Sequence, residues 1–417
     1  MFWLLEKILR RVVASGNLKV TGANGSRHQF GDGTGPEVAI RFADRAVERA
    51  IAFDPQLALG EAYMKGRLIV ESGNVYDLLA ILMRNVVARP QPRWLDWVDA
   101  GRRFGRRLQQ FNPVGRAKRN AAYHYNIDGA IYDLFLDPDR QYSCAYFTPG
   151  ADLTEAQLAK KVHLVSKMNL QPGHRVLDIG CGWGGLGLWI AANTGSKVKG
   201  ITLSSEQLAV AQERALRQGL LSSVEFALED YREVGGKFDR IVSVGMFEHV
   251  GVNHYGAYFR RINELLDDDG VAVLHSIGRS DGPGYTNPFI AKYIFPGGYI
   301  PALSEVLPAI ERAGLIVSDI EILRLHYAET LKAWRERFMS RRHEAVALKG
   351  EEFCRMWEFY LAGSEAAFRY QGMVVFQIQL IKRIDALPIT RDYMLDAERQ
   401  FYKAERSSRS PTRLAGE

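Results

Sequence analysis

A glutamate stands at the end of an apolar segment in the middle of the chain. The segment "FDRIVS" (238–243) is typical of a buried strand, and "SVGMFEHVG" (243–251) continues it, which places Glu248 beside His249 among apolar residues. A carboxylate in such surroundings has a large desolvation cost unless it is paired, so the position is a candidate for acid–base or anion-binding chemistry. The alternative is an acid that the dipole of a following helix stabilises.

A glycine-rich loop, "VLDIGCGWGG" (176–185), ends an earlier apolar strand. Its glycines match the GxGxxG pattern, in which the backbone approaches a nucleotide cofactor closely. A dinucleotide site requires an acid about 20 residues further on, after the second strand. At that place "GITLS" supplies only Thr202 and Ser204. The loop therefore indicates a nucleotide-type cofactor but not NAD.

Acidic residues elsewhere fit a different cofactor. Asp178 lies on the strand itself, two residues before Gly180, and "LEDYRE" places Asp230 and Tyr231 after the third strand, where an adenine can be held. This arrangement resembles the S-adenosylmethionine-dependent methyltransferases. We therefore expect S-adenosylmethionine to bind at this loop, with Gly182 as a further contact.

Length and composition indicate a folded protein of two domains. The chain has 417 residues, 47% of them hydrophobic, with a net charge of +6 and a pI near 9.1. A moderately basic chain suits an anionic partner, a phospholipid surface or a nucleic acid, and equally suits none. The three cysteines form no CxxC pair, which argues against a zinc site and fits reduced thiols in the cytosol. The sequence contains no run of 18 apolar residues, so no membrane-spanning helix is expected.

Residues 1–92 are predicted to form a small α+β domain. Strands are expected at "LKVTG", "RHQFG" and "EVAIRF", the first two joined through Asn24-Gly25, and helices at "DRAVERAIAF" and about 75–86. Residues 1–13 have an apolar helical face. That face either packs on its own domain or lies on anionic lipid.

A basic segment follows, and residues 93–125 are interpreted as a linker between two domains. The surrounding stretch 89–119 contains nine basic residues, four of them at 102, 103, 106 and 107, against two acids, with tryptophan and phenylalanine interleaved. Basic and aromatic residues together suit a membrane surface. They also resemble a nucleic-acid-binding stripe, and a solvated linker is the third reading.

Residues 126–417 are predicted to form an α/β catalytic domain. Between about 126 and 330, strands alternate with helices, which is typical of a Rossmann-like, doubly wound parallel sheet. The predicted strands are "HRVLDIG", "KVKGITL", "SVEFAL", "FDRIVSVG", "GVAVLHSI" and "GLIVSDIEIL". Such sheets bind ligands at the carboxyl ends of their strands. The glycine loop and Glu248 are therefore expected at one edge of the sheet.

Eight separated motifs resemble, in order and spacing, the cyclopropane-fatty-acyl-phospholipid synthases, which belong to the mycolic acid cyclopropane synthase family of S-adenosylmethionine-dependent methyltransferases. The motifs are "YSCAYF" (142–147), "VLDIGCGWGG" (176–185), "GITLSSEQ" (200–207), "LEDYRE" (228–233), "SVGMFEHVG" (243–251), "VLHSIG" (273–278), "IFPGGYIP" (294–301) and "HYAETLKAW" (326–334). The resemblance covers about 125–382 and extends into the N-terminal domain through "FGDG" and "LALGEAYMKG".

The resemblance implies the reaction and its residues. It implies that a methylene derived from S-adenosylmethionine is added across the cis double bond of an unsaturated phospholipid acyl chain, through a carbocation that a bound bicarbonate deprotonates. The expected bicarbonate contacts are Cys144, Glu248, His275, Ile277 and Tyr327. Together with Asp178, the expected cofactor contacts are Tyr142, Ser143, Gly180, Gly182, Thr202, Gln207, Asp230 and Tyr231. No metal ligands and no nucleic-acid partner are expected.

The resemblance also implies a setting and a division of labour. It implies a lipid-binding N-terminal domain and a cytoplasmic homodimer at the inner membrane surface. Glu248 is expected to accept a hydrogen bond from bicarbonate rather than act as the base, because a buried carboxylate acting alone has a large desolvation cost. His275 and Tyr327 are expected to donate or relay, and the backbone near Cys144 to help hold the anion.

Some alternatives stay open. The faces of Tyr146, Phe147 and Phe247 are candidates for stabilising the carbocation, although aromatic residues in a cleft are more often plain walls. Ser364 stands where many members of the family have a cysteine in "YLxxCxxxFR", which weakens any role for a thiol there. A methyl-branched product, an NAD-dependent oxidoreductase and a nucleic-acid-binding module are the competing functions.

Overall fold

The computed structural model describes residues 2–88, 101–102 and 129–409. The predicted linker, 93–125, therefore lies outside the described residues apart from residues 101 and 102. The two β-sheets formed by the described residues fall on either side of it.

The N-terminal unit is built on a four-stranded sheet of order β2-β1-β3-β4. Its elements are α1 (Phe2–Val12), β1 (Asn17–Thr21), β2 (Arg27–Phe30), β3 (Glu37–Phe42), α2 (Arg45–Phe53), α3 (Pro55–Met64), β4 (Leu68–Ser72) and α4 (Val75–Ala88). Strands β1 and β2 pair antiparallel across Asn24-Gly25, where Gly25 has a φ of +82°. The hairpin turn predicted at Asn24-Gly25 is therefore confirmed, as are the strands and helices predicted for this unit.

Helix α1 turns its apolar face inward. Phe2 and Leu5 are buried in the core of the N-terminal unit, with Ile8 packed against it. Trp3 is exposed, with the Lys7 ammonium 5.4 Å from its ring centroid. The face that was considered for contact with an anionic lipid surface is thus turned toward its own unit.

The second unit contains a seven-stranded sheet of order β10-β11-β9-β8-β5-β6-β7. Its elements are α5 (Gly129–Tyr132), α6 (Leu153–Lys167), β5 (Arg175–Ile179), α7 (Gly185–Thr194), β6 (Lys197–Thr202), α8 (Ser205–Arg217), β7 (Val224–Leu228), β8 (Phe238–Val244), α9 (Tyr255–Leu265), β9 (Leu266–Arg279), α10 (Pro288–Tyr293), α11 (Leu303–Arg312), β10 (Ile316–Leu323), α12 (His326–Ser340), α13 (Arg342–Tyr370, kinked at Gly350), β11 (Met373–Ile381) and α14 (Asp392–Arg409). The six strands predicted here are confirmed, and the sheet is the α/β sheet expected of a Rossmann-like methyltransferase.

One strand of this sheet was not predicted. Strand β11 lies between β9 and β10 and runs antiparallel to both, so the sheet is not wholly parallel as expected. Its sequence, "MVVFQIQLI", places Gln377 and Gln379 among apolar residues, and both glutamines are buried. Buried glutamines break the apolar pattern of a core strand, so the segment was not recognised from sequence.

Local sequence explains where the helices around the site begin. Asp152 and Glu155 form a capping box at the start of α6, and the Ser204 hydroxyl accepts a hydrogen bond from the Gln207 N–H at the start of α8. Gly184, with a φ of +82°, makes the left-handed turn from the glycine loop into α7. These starts place the loops after β5 and β6 next to each other.

The two units pack together through helices. Helix α13 lies against α3 and α4, and α10 lies against α3. The Phe289 ring sits where a Cβ at Gly60 would stand, 2.4 Å from that position, so only glycine permits this approach. The Glu61 carboxylate accepts a hydrogen bond from the Tyr293 hydroxyl at 2.7 Å and pairs with Lys292 at 2.6 Å. The unit-to-unit contact therefore combines close packing with buried and exposed polar pairs.

In the described parts of the chain, no helix is both long and apolar enough to cross a membrane. The three cysteines, at 144, 181 and 354, are buried free thiols.

Candidate active site

Two cavities meet at the carboxyl ends of the parallel strands. The smaller has a volume of about 120 Å³ and the larger about 900 Å³. Gly245 and His249, which follow β8, line both of them. A group bound in one cavity can therefore face a group bound in the other across this junction.

The glycine loop forms one wall of the smaller cavity. Gly180 and Gly182 line it with φ values of +82° and +54°. A Cβ added at Gly180 would stand 2.9 Å from the Met246 Cβ, closer than real side chains approach, whereas one at Gly182 would meet nothing within 4 Å. The backbone after β5 thus packs directly on the loop after β8, and a side chain at Gly180 would push the two apart.

Polar side chains from the next two strands complete the smaller cavity. The Thr202 hydroxyl donates to the Gln207 side-chain oxygen at 2.9 Å, and both residues line the cavity. Asp230 is buried and accepts two hydrogen bonds from the Arg232 guanidinium, at 2.8 and 2.6 Å. Tyr231 lines the cavity beside it, and burial raises the pKa of its hydroxyl to about 12. Six predicted cofactor contacts therefore come together here: Gly180, Gly182, Thr202, Gln207, Asp230 and Tyr231.

Asp178 is placed differently from those six. It is buried in β5 and lines neither cavity. Its Oδ2 atom has no hydrogen-bond partner among the described residues, and burial raises the pKa of its carboxyl to about 7, against the opposing charge of Lys160. Any effect of Asp178 on a cofactor must therefore act through the glycine loop.

Tyr142 and Ser143 line the larger cavity instead of the smaller one. The Tyr142 and Tyr360 hydroxyls are hydrogen-bonded at 2.8 Å. The Ser143 hydroxyl accepts a hydrogen bond from the buried Lys160 ammonium at 2.9 Å, and burial lowers the pKa of that ammonium to about 8. The buried Lys160 ammonium thus fixes the segment "YSCAYF" in place. This segment lies on the opposite side of the junction from Asp230.

The five residues expected at the anion all line the larger cavity: Cys144, Glu248, His275, Ile277 and Tyr327. Glu248 lies on a short 3₁₀ turn directly after β8, not at the start of a long helix. Its Oε1 atom accepts a hydrogen bond from the Ile277 N–H at 2.7 Å. The Ile277 amide therefore anchors the carboxylate, and the part played by Ile277 is to position Glu248.

The other carboxylate oxygen of Glu248 does not share this anchor. Oε2 is buried and has no hydrogen-bond partner among the described residues. Burial raises the pKa of Glu248 to about 7, although the Ile277 N–H opposes the shift. Because an unpartnered buried acceptor is costly, this atom marks a place where a small donor group would be held.

His275, on the neighbouring strand β9, lines the same cavity as Glu248. The Nδ1 atom of its ring is 3.1 Å from the side-chain nitrogen of Gln377. Burial, together with the positive charges of Lys160 and Lys167, lowers the pKa of His275 well below its ordinary value. The ring is therefore neutral near pH 7, with one protonated nitrogen and one bare nitrogen.

The remaining two residues are a buried thiol and a packed tyrosine. Burial raises the pKa of the Cys144 thiol, so it is not a thiolate near pH 7. The Tyr327 ring packs against Trp334 and Phe368, with centroids 5.8 and 4.8 Å apart. Glu248 is thus the group of these five whose charge changes near neutral pH.

The aromatic residues named as candidates for facing a carbocation lie outside the lining of both cavities. Phe247 is fully buried among Tyr255 and its neighbours, and Tyr146 is stacked between two histidine rings; neither these nor Phe147 line a cavity. A strand-end position alone does not tell which way a ring turns. Aromatic residues of the second unit that line the larger cavity include Tyr142, Phe295, Tyr299, Tyr327, Tyr360 and Phe368, and the Phe295 ring lies 6.0 Å from the His249 ring at the junction.

Sequence reasoning also left out residues that the fold brings to the site. His249 was not among the expected site residues, yet it lines both cavities, and burial lowers its pKa to about 4. Ser364, the departure from the family pattern, lines the larger cavity. Gln377 was missed with its strand. The position of His249 in the "EHVG" motif was the available signal, whereas nothing local pointed to Gln377.

Comparison with known proteins identifies the family. A family model described as mycolic acid cyclopropane synthetase matches residues 114–378. The chain belongs to this family. A second model, described as a domain of unknown function, matches residues 4–88.

Curated relatives in the family span nearly the whole chain. A probable fatty acid methyltransferase from Pseudomonas putida is 36% identical over 88% of this chain and 94% of its own length. A cyclopropane-fatty-acyl-phospholipid synthase from Escherichia coli K12 is 36% identical over 83% of this chain and 88% of its own length. Both relatives include the N-terminal unit in part.

A solved structure supports the fold and the cofactor. The mycolic acid cyclopropane synthase CmaA1, in complex with SAH and CTAB, is 33% identical, with a TM-score of 0.61 over 65% of this chain and 99% of that chain. The chain is an S-adenosylmethionine-dependent methyltransferase, and S-adenosylmethionine is its co-substrate. The glycine loop at Gly180 and the buried Asp230 fit S-adenosylmethionine. The nucleoside part of this cofactor requires a close approach to backbone without side chains and an acid held in a fixed position.

Proposed function

We propose that the protein is a cyclopropane-fatty-acyl-phospholipid synthase. It transfers a methylene derived from S-adenosylmethionine to the cis double bond of an unsaturated phospholipid acyl chain, with bicarbonate bound at Glu248 as the base. The observation that carries the proposal is the larger cavity, which runs from Glu248 and His275 to apolar residues of the N-terminal unit such as Leu9 and Leu82.

The shape and lining of that cavity suit an acyl chain. Its volume of about 900 Å³ lies at the upper end of the roughly 300–1,000 Å³ usual for ligand sites. Leu5, Ile8, Leu9 and Val12 of α1 line it far from the sheet, and Phe295 lines it near the junction. A long apolar chain would therefore be covered along its length, with one internal segment beside His249. This is also the basis for proposing that the N-terminal unit binds lipid.

The smaller cavity would hold the nucleoside part of the cofactor. Asp230 and Tyr231 would contact its adenosine, and Thr202 and Gln207 would line the opposite side. When bound, S-adenosylmethionine supplies an electrophilic methyl carbon. The chain's own contribution is alignment and exclusion of water, which is what a weak nucleophile such as an alkene requires. Tyr142 and Ser143 would meet the cofactor from the larger cavity.

The polar end of the larger cavity suits a small oxyanion that carries a hydroxyl group. The unpartnered Oε2 of Glu248 is an acceptor for that hydroxyl, provided the carboxylate is ionised. His275 and Tyr327 line the same end and carry donors. Bicarbonate has this combination of groups, and when bound it supplies a base that accepts a proton from the substrate. Glu248 then holds and orients the ion, and the neutral Cys144 thiol takes no part as a nucleophile.

The walls of the cavity would favour the positive charge that develops on the acyl chain. Phe295 and Tyr360 lie at the junction side, with ring centroids 5.9 Å apart. An aromatic face attracts a cation by about 0.5–2 kcal/mol, more where water is excluded. These rings replace Tyr146, Phe147 and Phe247 in that role.

A methyl-branched product is the second candidate. It is favoured by the similarity to the Pseudomonas putida protein, which is described as a probable fatty acid methyltransferase. The two products differ in how the cation is resolved, and the presence of Glu248, His275 and Tyr327 around one cavity end favours loss of a proton and ring closure.

The setting of the enzyme remains part of the proposal. We propose that it works as a homodimer, cytoplasmic and peripheral at the inner membrane surface, with unsaturated phospholipid as its partner and no nucleic acid. The division into residues 1–92, 93–125 and 126–417 is likewise proposed.

The experiment that tests the function is lipid mass spectrometry. The protein is expressed in cells rich in monounsaturated phospholipid, with an empty-vector culture beside it. A gain of one CH2 unit on monounsaturated chains is expected, with cyclopropane signals in the proton NMR spectrum. Branched-methyl signals would select the second candidate. An unchanged lipid profile, with folded protein that binds S-adenosylhomocysteine, would refute alkene alkylation of phospholipid.

A further inference from the structure

Gln377 lies directly opposite His275 across the antiparallel pair of β11 and β9. Both side chains are buried. The side-chain nitrogen of Gln377 is 3.1 Å from Nδ1 of the His275 ring. An amide nitrogen only donates, so in this arrangement Nδ1 is the accepting, bare nitrogen of the imidazole.

The orientation of the Gln377 amide is itself fixed. Its oxygen accepts a hydrogen bond from the Lys167 ammonium at 2.5 Å. Rotating the amide by half a turn would place its nitrogen next to the Lys167 ammonium and its oxygen next to Nδ1 of His275. Lys167 is held in turn by an ion pair with Glu321, which also accepts from His163. The cation therefore determines which end of the amide meets the histidine.

We infer that Gln377 is a positioning residue that fixes the tautomer of His275, so that its protonated Nε2 faces the larger cavity opposite Glu248. The inference rests on the proposed anion site. In that site Glu248 is an acceptor, so the anion needs a donor on its other side. The Nε2–H of His275 supplies one, whereas the opposite tautomer would present a lone pair to an oxygen of the anion.

The neutral state of His275 makes the tautomer decisive. If the ring were charged, both nitrogens would donate and the partner of Nδ1 would not matter. Burial, Lys160, Lys167 and His163 hold its pKa well below its ordinary value, so the ring stays neutral at working pH. A neutral ring needs a partner that selects one form, as orienting groups do for histidines in other sites.

The tautomer is measured directly by two-bond ¹H–¹⁵N NMR of full-length protein labelled at the histidine imidazoles. The His275 signals, one set among nine histidines, are assigned with the His275→Asn variant. The wild type is expected to show a protonated Nε2 and a bare Nδ1. A protonated Nδ1 in the wild type would overturn the inference, and this measurement requires no variant and no substrate.

Two variants and a matched control sharpen the test. Gln377→Met should give a mixture of tautomers and lower kcat for lipid by about tenfold, with unchanged affinity for S-adenosylhomocysteine. Lys167→Met should release the amide and shift His275 toward protonated Nδ1. Gln379→Met is the control, because Gln379 is buried two residues along the same strand and bonds to Tyr393, Ser318 and the backbone carbonyl of Lys167, but not to His275 or to the Lys167 ammonium.

The outcomes separate this inference from the proposed function. A Gln379→Met protein that loses the tautomer and kcat as Gln377→Met does would show a general effect of the strand and overturn the inference. A wild type with protonated Nε2 but no activity on lipid would contradict the proposed function and leave the positioning role intact.

Discussion

The two cavities that meet at Gly245 and His249 are made from different parts of the chain. The smaller is lined mainly by loops that directly follow β5, β6, β7 and β8, and it is called the polar cavity because Thr202, Gln207 and Asp230 place fixed polar atoms there beside apolar side chains. The larger, the apolar cavity, is lined by helices of both units, including α1, α4 and α13, and most of its lining side chains are apolar. The two cavities therefore differ most in origin: loops at one edge of the sheet build the first, and helices distant in the chain build the second.

The two cavities are expected to bind their ligands through different kinds of interaction. The polar cavity holds its ligand through a few fixed atoms, so single-atom changes there should alter affinity. The apolar cavity holds its ligand through area, at about 25 cal/mol per Å² of apolar surface. Single changes there should have smaller effects unless they block the path. Glu248 is the exception, because it is the charged group at the polar end of an apolar cavity.

Glu248→Gln is expected to have the largest effect on activity. The amide keeps the acceptor for the Ile277 N–H but presents a donor where Oε2 accepted. We expect kcat for lipid to fall by about 10²–10⁴, the range usual for groups that manage proton transfer. Affinity for S-adenosylhomocysteine, measured by calorimetry, should not change. If Glu248→Gln kept the wild-type kcat, Glu248 would have no role in the reaction.

The same substitution should stabilise the fold at high pH. The folded-state pKa of Glu248 is about 7, above its ordinary 4.5. The ionised carboxylate therefore costs nothing below pH 4.5 and about 3 kcal/mol above pH 7. Glu248→Gln should unfold at higher temperature than the wild type at pH 8 and at the same temperature at pH 4.5. Glu365→Gln is the control, because Glu365 is buried with Arg335 and Arg369 and its loss should destabilise.

The pH dependence of activity is the next largest effect. Because Glu248 must be ionised to accept a hydrogen bond from the anion, kcat should fall by up to about tenfold per pH unit below pH 7. His275 and Cys144 do not titrate there, since their pKa values are lowered and raised, respectively. Asp178 also has a pKa of about 7. The acid limb should therefore persist in Asp178→Asn, and its disappearance there would assign the limb to Asp178 instead.

Gly180→Ala tests the polar cavity. The new Cβ would stand 2.9 Å from the Met246 Cβ, in a backbone conformation with a φ of +82° that side chains disfavour. We expect affinity for S-adenosylhomocysteine to fall by about 10–100-fold. Gly219→Ala is the matched control, because Gly219 has a φ of +67° with nothing within 4 Å of its Cβ position and lines neither cavity. Equal affinities in the two variants would mean that the close approach does not shape the cofactor site.

Met83→Trp tests the apolar cavity with a smaller expected effect. Met83 of α4 lines the larger cavity in the N-terminal unit, and the larger ring would obstruct it. We expect kcat/KM for phospholipid in vesicles to fall by about tenfold, with unchanged affinity for S-adenosylhomocysteine. Arg84→Trp, at the next and exposed position, is the control. If both variants kept wild-type activity, the N-terminal part of the cavity would not carry the acyl chain.

The sequence indicated the polar cavity better than the apolar one, for a physical reason. Glycines, caps and strand-end acids act on their own neighbours, so Gly180, Asp230 and Gln207 could be assigned from local motifs. The larger cavity depends on how α4, against which α1 packs, meets α13 more than two hundred residues further along the chain, and no local pattern contains that contact. The same reasoning explains why Gln377 was missed: its importance lies in the residue opposite it on another strand.

The smallest expected effect concerns the basic segment and membrane binding. Arg102 is excluded from the test, because it pairs with Asp54 at 2.8 Å and lies over the Tyr285 ring at the larger cavity. Arg103, Arg106 and Arg107 lie outside the described residues and are changed together to serine. Each basic residue near an anionic surface contributes at most about 1 kcal/mol, so binding to anionic vesicles is expected to weaken by at most about fivefold for each arginine removed, and the loss should diminish as salt rises.

The matched control for the basic segment removes the same charge elsewhere. Arg217, Arg383 and Arg399 are exposed arginines of the second unit, and their joint replacement by serine also lowers the net charge by three. If the segment itself meets the membrane, this control should bind vesicles as the wild type does. An equal loss in both triple variants would assign vesicle binding to the overall charge. If the first variant lost DNA binding but bound vesicles as the wild type does, the segment would be a nucleic-acid contact. Lipid would then have to enter the apolar cavity without a contribution from this segment.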